Sequence, residues 1–178
     1  MGAIGEIMRK FVVSALSGLL FLLLLTSTAF AAPPAASRNV PFKGTLNAVE
    51  IDVIDPVTHV ESLSGNGSGN ATHLGRFTVS YRVELDPSIP QVGTLYHHFV
   101  AANGDSLFST GSAVGEDVGP NMGHVVETHT ITGGTGRFAG ASGNFVIDRL
   151  ITWTWTATGG TGISHGTFEG NIVLAKDE

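Results

Sequence analysis

The chain has 178 residues, a formal net charge of −6 and no cysteine, and its nine Lys and Arg residues are scattered along the sequence. Nucleic acid and anionic membrane surfaces are therefore not expected partners, because phosphate groups are bound by clustered basic residues. Without cysteine there are no disulfides and there is no lipoprotein attachment, so burial and hydrogen bonds must stabilise the fold.

Residues 1–31 have the layout of a secretory signal peptide. Arg9 and Lys10 precede the apolar run Phe11–Phe30, and Ala29-Phe30-Ala31 places small residues at the −3 and −1 positions of a cleavage site. An uncleaved anchor is the alternative, since about 20 apolar residues can span a bilayer. The cleavage site favours export, so we expect a secreted or periplasmic protein with no stable membrane insertion after cleavage.

The predicted mature chain is one ordinary domain with a sizeable core. Removing 31 of 178 residues leaves 147, and losing Arg9, Lys10 and Glu6 changes the formal charge from −6 to −7. We predict a flexible leader over residues 32–41, a single β domain over 42–175 and a short tail over 176–178.

Beyond the leader the sequence shows almost no helical periodicity. Runs of β-branched and aromatic residues alternate with Gly, Asn, Asp and Pro, which is typical of an all-β chain. The eight runs are Phe42–Ile54, His59–Ser64, Gly75–Leu85, Gly93–Ala101, Ser106–Val114, Gly123–Thr132, Asn144–Thr158 and Ile163–Leu174. Asn103-Gly104 predicts a type I′ hairpin turn, with positive φ at both residues. Gly65–Gly69 predicts a flexible loop.

Apolar and polar residues alternate clearly in the third and seventh runs. In the third, Phe77, Tyr81 and Leu85 share one face while Arg76 and Glu84 lie on the other. A period of two with one polar face indicates a half-buried antiparallel sheet. Eight long strands favour a closed eight-stranded antiparallel β-barrel, because closure removes exposed sheet edges. A sandwich of two sheets is the alternative.

Two charged residues lie on these apolar faces. Arg149 falls among the apolar residues of the seventh run, and Glu127 shares a face with Val125, His129 and Ile131 in the sixth. If these runs pair as a hairpin, Glu127 and Arg149 meet inside the barrel, where a buried charge needs a partner. Alternatively the register differs and both are solvated.

The stretch ITGGTGRFAGASG, residues 131–143, contains five glycines. Gly134–Ala139 fits a dinucleotide-binding fingerprint, but that motif requires a following helix, and here another strand follows. We therefore expect no nucleotide site and a connection between two strands. In it, a short helical turn over residues 135–139 would carry Phe138 as an apolar plug and Arg137 as a brace for loop carbonyls.

This strand–glycine–strand arrangement resembles the allene oxide cyclase and dirigent superfamily, especially its bacterial secreted members. Gly69–Phe77, Ala102–Leu107 and Gly166–Gly170 resemble further family segments, so the resemblance covers residues 42–174. It implies a calycin-like eight-stranded barrel, in a homodimer or homotrimer, whose cavity binds a small hydrophobic molecule without a cofactor. Enzymes of the superfamily act as cyclases or isomerases by holding a flexible substrate in a reactive conformer; the sequence leaves open whether this chain is an enzyme.

We predict a site inside the barrel. Glu127 would polarise or deprotonate a ligand, with His129 beside it, and Arg149 would keep Glu127 charged or anchor an acidic ligand group. The predicted ligand-lining residues are Phe77, Tyr81, His97, Phe99 and Trp153. An interior without a pocket above about 300 Å³ would contradict small-molecule binding. It would favour the alternative, a non-catalytic module with a filled barrel.

Histidines raise the question of a metal. His97 and His98 are neighbours in a predicted strand and therefore point to opposite faces. Glu127, His129 and one of this pair form a conceivable ligand set. Scattered histidines are more often surface or hydrogen-bonded core residues, so we predict no metal site.

Overall fold

The computed structural model describes residues 37–57, 61–85 and 92–175. The predicted signal peptide, residues 32–36 of the leader and the tail over 176–178 lie outside the described residues. Within the described ranges, no helix is both long enough and apolar enough to cross a bilayer.

The described chain forms a closed barrel of eight antiparallel strands, which confirms the predicted fold class. Each strand pairs with the next along the chain, and the eighth pairs with the first. The strands are β1 Ser37–Ile54, β2 Glu61–Ala71, β3 Gly75–Leu85, β4 Val92–Ala101, β5 Ser106–Gly119, β6 Met122–Gly134, β7 Ser142–Thr156 and β8 Gly159–Ala175.

Aromatic side chains fill the part of the barrel nearest the β6–β7 connection. Phe42 packs edge-on against Phe145, with ring centroids 5.2 Å apart, and lies 5.1 Å from Phe168. The predicted helical turn is a 3₁₀ turn over Gly136–Phe138, and the fully buried Phe138 closes this end. Arg137 donates a hydrogen bond from Nη2 to the carbonyl of Leu74 at 3.2 Å, so both predicted roles in the glycine stretch are confirmed.

Two predicted irregular segments are strand instead. β1 begins at Ser37, so residues 37–41 of the predicted leader pair with the end of β8. Gly65–Gly69 lies within β2, not in a loop. Its glycines make room for β3 side chains: a Cβ on Gly69 would lie 2.7 Å from the Phe77 ring, and one on Gly65 would overlap Tyr81. Without these glycines the inward rings of β3 would not fit.

The β4–β5 hairpin forms as predicted, but its turn type differs. Gly104 has a φ of 90°, whereas Asn103 is absent from the positive-φ residues of the described chain. The Gly104 N–H donates to the Ala101 carbonyl at 2.9 Å, and Ala101 N–H donates to Asp105 at 2.9 Å. The type I′ prediction is wrong because the loop is longer than two residues, and a single left-handed glycine after the turn then suffices.

The second half of β1 turns its carboxylates inward. Phe42 and Leu46 are buried, and a two-residue period then directs Glu50 and Asp52 into the barrel. The intervening residues Val49, Ile51 and Val53 face outward and are 50, 51 and 48% exposed. The strand therefore contributes acids to the interior and an apolar row to the surface.

Candidate functional site

Arg149 is the centre of a buried polar cluster halfway along the barrel. Its Nε donates to Glu127 Oε1 at 2.6 Å, and its Nη1 donates to a carboxylate oxygen of Glu50. Nη1 also lies 3.1 Å from the Tyr81 hydroxyl and 3.2 Å from Ser164 Oγ. The predicted meeting of Glu127 and Arg149 is thus observed, and Glu50 is a second acid on the same guanidinium.

Mutual attraction keeps this cluster ionised despite its burial. Burial alone disfavours the Glu127 carboxylate, but the Arg149 charge and the hydrogen bond from His129 outweigh it and lower the pKa of Glu127 to about 2. Burial likewise opposes the Arg149 cation, while Glu127, Tyr81 and Glu50 raise its pKa. Burial raises the pKa of Tyr81, so the phenol stays protonated. Glu127 and Arg149 therefore stay charged over the physiological pH range.

Two histidines contact Glu127 from the side opposite Arg149. His129 Nε2 lies 2.9 Å from Glu127 Oε2, and His97 Nε2 lies 3.6 Å from the same oxygen. Ser109 Oγ lies 3.2 Å from His129 Nδ1. Neither ring nitrogen of His97 has a hydrogen-bond partner among the described residues. Burial lowers the pKa of His97 to about 3, so its imidazole is neutral at physiological pH.

The end of the barrel opposite Phe138 holds an open pocket of about 240 Å³. Its walls are mostly apolar, and the charged side chains that line it are Arg149 and four acids, Asp52, Glu61, Glu116 and Asp117. The main apolar residues are Leu63, Val83, Leu85, Leu95, Ile151 and Trp153. Trp153 stacks on Trp155, with ring centroids 4.8 Å apart. We call this feature the mouth pocket.

Few of the predicted site residues line the mouth pocket. Trp153 and Arg149 line it. The remaining predicted residues pack beneath it, where their side chains fill the barrel: Phe77, Tyr81, His97, Phe99, Glu127 and His129. The pocket is also smaller than the lower limit of about 300 Å³ for cavities that enclose drug-sized ligands. By the criterion set from the sequence, this volume contradicts an enclosed ligand cavity inside the barrel and favours a filled barrel centre, which leaves the open mouth pocket as a separate feature.

None of the four acids of the mouth pocket was predicted from the sequence, and Asp52 is the buried one among them. Its side chain is largely buried, and its Oδ1 has no hydrogen-bond partner among the described residues. Burial and, next, the nearby Glu61 raise the pKa of Asp52 to about 6. The sequence could have indicated this position, because Asp52 is an even number of residues from Phe42 and Leu46 in the same strand and therefore shares their inward face.

The outward-facing histidines His98 and His124 are partly exposed and contact different residues. His98 lies 3.0 Å from Ser106 Oγ, which confirms that His97 and His98 face opposite sides. His124 lies 3.1 Å from a Glu116 oxygen and 3.0 Å from an Asp148 oxygen. These hydrogen bonds raise the pKa of His124. Both histidines contact water and take no part in the interior site.

Comparison with known proteins gives one structural similarity to report. No protein-family model and no curated protein matches the sequence. A solved structure of a pterocarpan synthase dirigent protein is similar to this chain, with 13% sequence identity and a TM-score of 0.49. The match covers 80% of this chain and 93% of that one.

Replacing Arg149 with Met should destabilise the barrel by about 3–5 kcal/mol, because two buried carboxylates lose their counter-charge. Urea unfolding measures the change. Lys43→Met is the matched control: Lys43 pairs with Glu169 at 3.3 Å, but both side chains are more than half exposed, so the loss should stay below about 1 kcal/mol. Equal losses for the two variants would contradict the buried cluster.

Replacing Asp52 with Asn should stabilise the protein at pH 7. A carboxyl whose folded pKa is raised from 3.8 to about 6 favours folding less as pH rises through that window, and Asn removes this loss. The expected gain is about 1 kcal/mol, less than the full shift implies because the mouth pocket opens to solvent. Thermal melting at pH 3.5 and 7 measures it. A gain of the same size at both pH values would show that Asp52 is not the titrating group.

Proposed function

We propose that the barrel binds a small, neutral, mostly apolar molecule in the mouth pocket. The observation that carries this proposal is an apolar-walled opening over a buried polar floor. Ligand sites typically combine predominantly apolar walls with a few polar groups that fix orientation. This proposal keeps the small hydrophobic ligand expected from the sequence but moves its site from the barrel centre to the open end.

The volume of the mouth pocket restricts the size of the ligand. At about 240 Å³ the pocket lies below the range of about 300–1,000 Å³ that is usual for drug-sized ligands. A single substituted ring fits that space. A long acyl chain would have to extend into the barrel centre, which Tyr81, His97 and Phe99 already fill.

The charges at the floor favour a neutral hydroxyl over an acidic group. The guanidinium of Arg149 already contacts Glu50, Glu127, Tyr81 and Ser164, so it offers an incoming anion no unpaired cation. Asp52 lines the pocket, and a rotation of its side chain would turn its buried, unpartnered Oδ1 toward a ligand. A ligand hydroxyl that donates to this oxygen would satisfy it, and this role replaces the acid-anchoring role expected for Arg149.

Any cyclisation or isomerisation in this pocket would depend on Asp52. A group with a pKa of about 6 can both accept and donate a proton near neutral pH. Glu127 and His129, the acid–base candidates from the sequence, lie beneath the pocket and not on its wall. The walls would supply conformational control of a bound substrate. Binding is the function we propose, and a chemical step is its extension.

The place of action that fits this proposal is outside the cytoplasm. Its support is the signal-peptide layout of residues 1–31, with Arg9 and Lys10 before an apolar run and Ala31 at the cleavage position.

Ligand binding is tested by a substitution that places a larger side chain in the mouth pocket. Ala113 lines the pocket, whereas its neighbour Val114 points outward and is 62% exposed. With para-propylphenol as the probe, Ala113→Leu should weaken binding at least tenfold and Val114→Leu should leave it unchanged. Calorimetric titration measures both. Hexadecanoic acid serves as the oversized probe, and tight binding of this acid or no binding of the phenol would contradict the proposal.

The outer face of β1 and β8 supports a second function, self-association. Val49, Ile51 and Val53 form an exposed apolar row, and Val49 is the cross-strand neighbour of Ile163, which is 54% exposed. Contiguous apolar surface of this kind marks protein contacts. The filled barrel centre agrees with a module whose contacts are on its outside, so we propose a homodimer or homotrimer formed through this face.

Ile51→Asp should convert the oligomer to a monomer, because the charge would be buried in the contact. Light scattering coupled to size-exclusion chromatography gives the mass. Thr45→Asp is the matched control, since Thr45 faces outward on the same strand beyond the apolar row. A monomeric parent protein, or the same mass for the parent and Ile51→Asp, would contradict association through this face.

A further inference from the structure

In place of the expectation from sequence that there is no metal site, we propose that His97, Glu127 and His129 form a buried binding site for a divalent transition-metal ion, with Zn²⁺ as the preferred ion. The three residues lie on the inner faces of β4 and β6, and one ligand atom from each lies within 4.8 Å of the others. The site is separate from the mouth pocket and does not depend on a ligand there.

The separations between the ligand atoms suit a small tetrahedral ion. Zinc binds nitrogen and oxygen at about 2.0–2.2 Å, which places the ligand atoms of a tetrahedral site about 3.3–3.5 Å apart. Glu127 Oε2 lies 2.9 Å from His129 Nε2 and 3.6 Å from His97 Nε2. These two distances bracket the required one, and the two histidine ligand atoms lie within 4.8 Å of each other, so the imidazoles would have to move toward one another to complete three bonds.

Neighbouring groups already orient two of the three ligands. Ser109 Oγ contacts His129 Nδ1 at 3.2 Å and leaves Nε2 to face Glu127. Arg149 holds Glu127 Oε1 and leaves Oε2 to face both imidazoles. Outer hydrogen bonds of this kind fix the tautomer and direction of metal ligands.

The burial of the His97 imidazole is not explained by hydrogen bonds. The residue is 3% exposed, and neither of its ring nitrogens has a partner among the described residues. Burying an unsatisfied polar group costs free energy, so such groups call for an explanation. A metal ion bound at His97 Nε2 would satisfy that nitrogen.

The charge and the donor types also favour a transition metal. The carboxylates of Glu50 and Glu127 with the Arg149 guanidinium carry a formal sum of −1, which attracts a cation. Two imidazoles and one carboxylate are a donor set that zinc accepts, whereas calcium and magnesium require mainly oxygen ligands. Because the mouth pocket does not reach these atoms, the ion would tie β4 to β6 as a structural element.

The test loads the metal during refolding, since the cluster is closed to solvent in the folded protein. The full chain is unfolded in denaturant with a chelator, refolded with or without Zn²⁺, dialysed, and analysed for metal content and melting temperature. His97→Phe removes one ligand but preserves an aromatic ring. His98→Phe is the matched control, because His98 is the outward neighbour.

We expect one zinc per chain and a higher melting temperature with zinc in the parent and in His98→Phe. His97→Phe should lose both effects, while its metal-free melting temperature should match or exceed that of the parent because no hydrogen bond is removed. Cobalt refolded into the parent chain should give the visible absorption of a tetrahedral site.

Three results would overturn the proposal: no retained zinc, equal zinc retention in His97→Phe, or no cobalt spectrum. Equal retention would identify adventitious surface binding only. Because the mouth pocket lies above the cluster, para-propylphenol binding would be unaffected by these results, so failure of the metal site and failure of the proposed function are distinguishable.

Discussion

The ion pair that joins Arg149 to Glu127 and Glu50 divides this barrel into two parts. A guanidinium taken out of water must be fully paired, and here two carboxylates, a phenol and a hydroxyl surround it. On one side of this cluster the interior is packed with phenyl rings as far as Phe138. On the other side the barrel interior opens into the mouth pocket. The cluster thus serves as the floor of the proposed binding site and the roof of the packed core.

Glycines on the neighbouring strands make this arrangement sterically possible. Gly65 leaves space for Tyr81, which contacts Arg149, and Gly166 faces Arg149 itself, where an added Cβ would lie 2.5 Å from the arginine Cβ. Bulky and charged side chains on β3 and β7 are therefore matched by bare backbone on β2 and β8. A closed barrel of fixed width accommodates large inward residues when small ones face them.

The sequence predicted the fold and half of the charged cluster for a clear physical reason. Strand alternation shows directly in β7, so Arg149 stood out on an apolar face and needed an inward partner. In β1 the same pattern misleads, because Val49, Ile51 and Val53 read as the buried face while Glu50 and Asp52 are the inward residues. The parity of Glu50 and Asp52 with Phe42 and Leu46 indicates the inward face, and the pairing of β1 with β8 fixes it.

Sequence patterns could not predict the size of the pocket or the glycine-rich part of β2. Gly65–Gly69 has low strand propensity, and its pairing is stabilised by what β3 places against it. The volume left at the mouth depends on how the aromatic and histidine side chains pack beneath it, which local periodicity does not encode. Trp153 lines the mouth pocket as predicted, whereas Phe77, Tyr81, His97 and Phe99 point inward, as alternation requires, but fill the barrel centre.

The most direct test of the account is to map where a small neutral molecule binds. Amide chemical shifts recorded during titration with para-propylphenol report the contacted residues in solution. The account predicts shifts concentrated at Leu63, Val83, Leu95 and Trp153, with Phe138 and Ala141 at the closed end unaffected. Shifts confined to the outer surface, or none at millimolar probe, would contradict the claim that this barrel binds its ligand at the mouth.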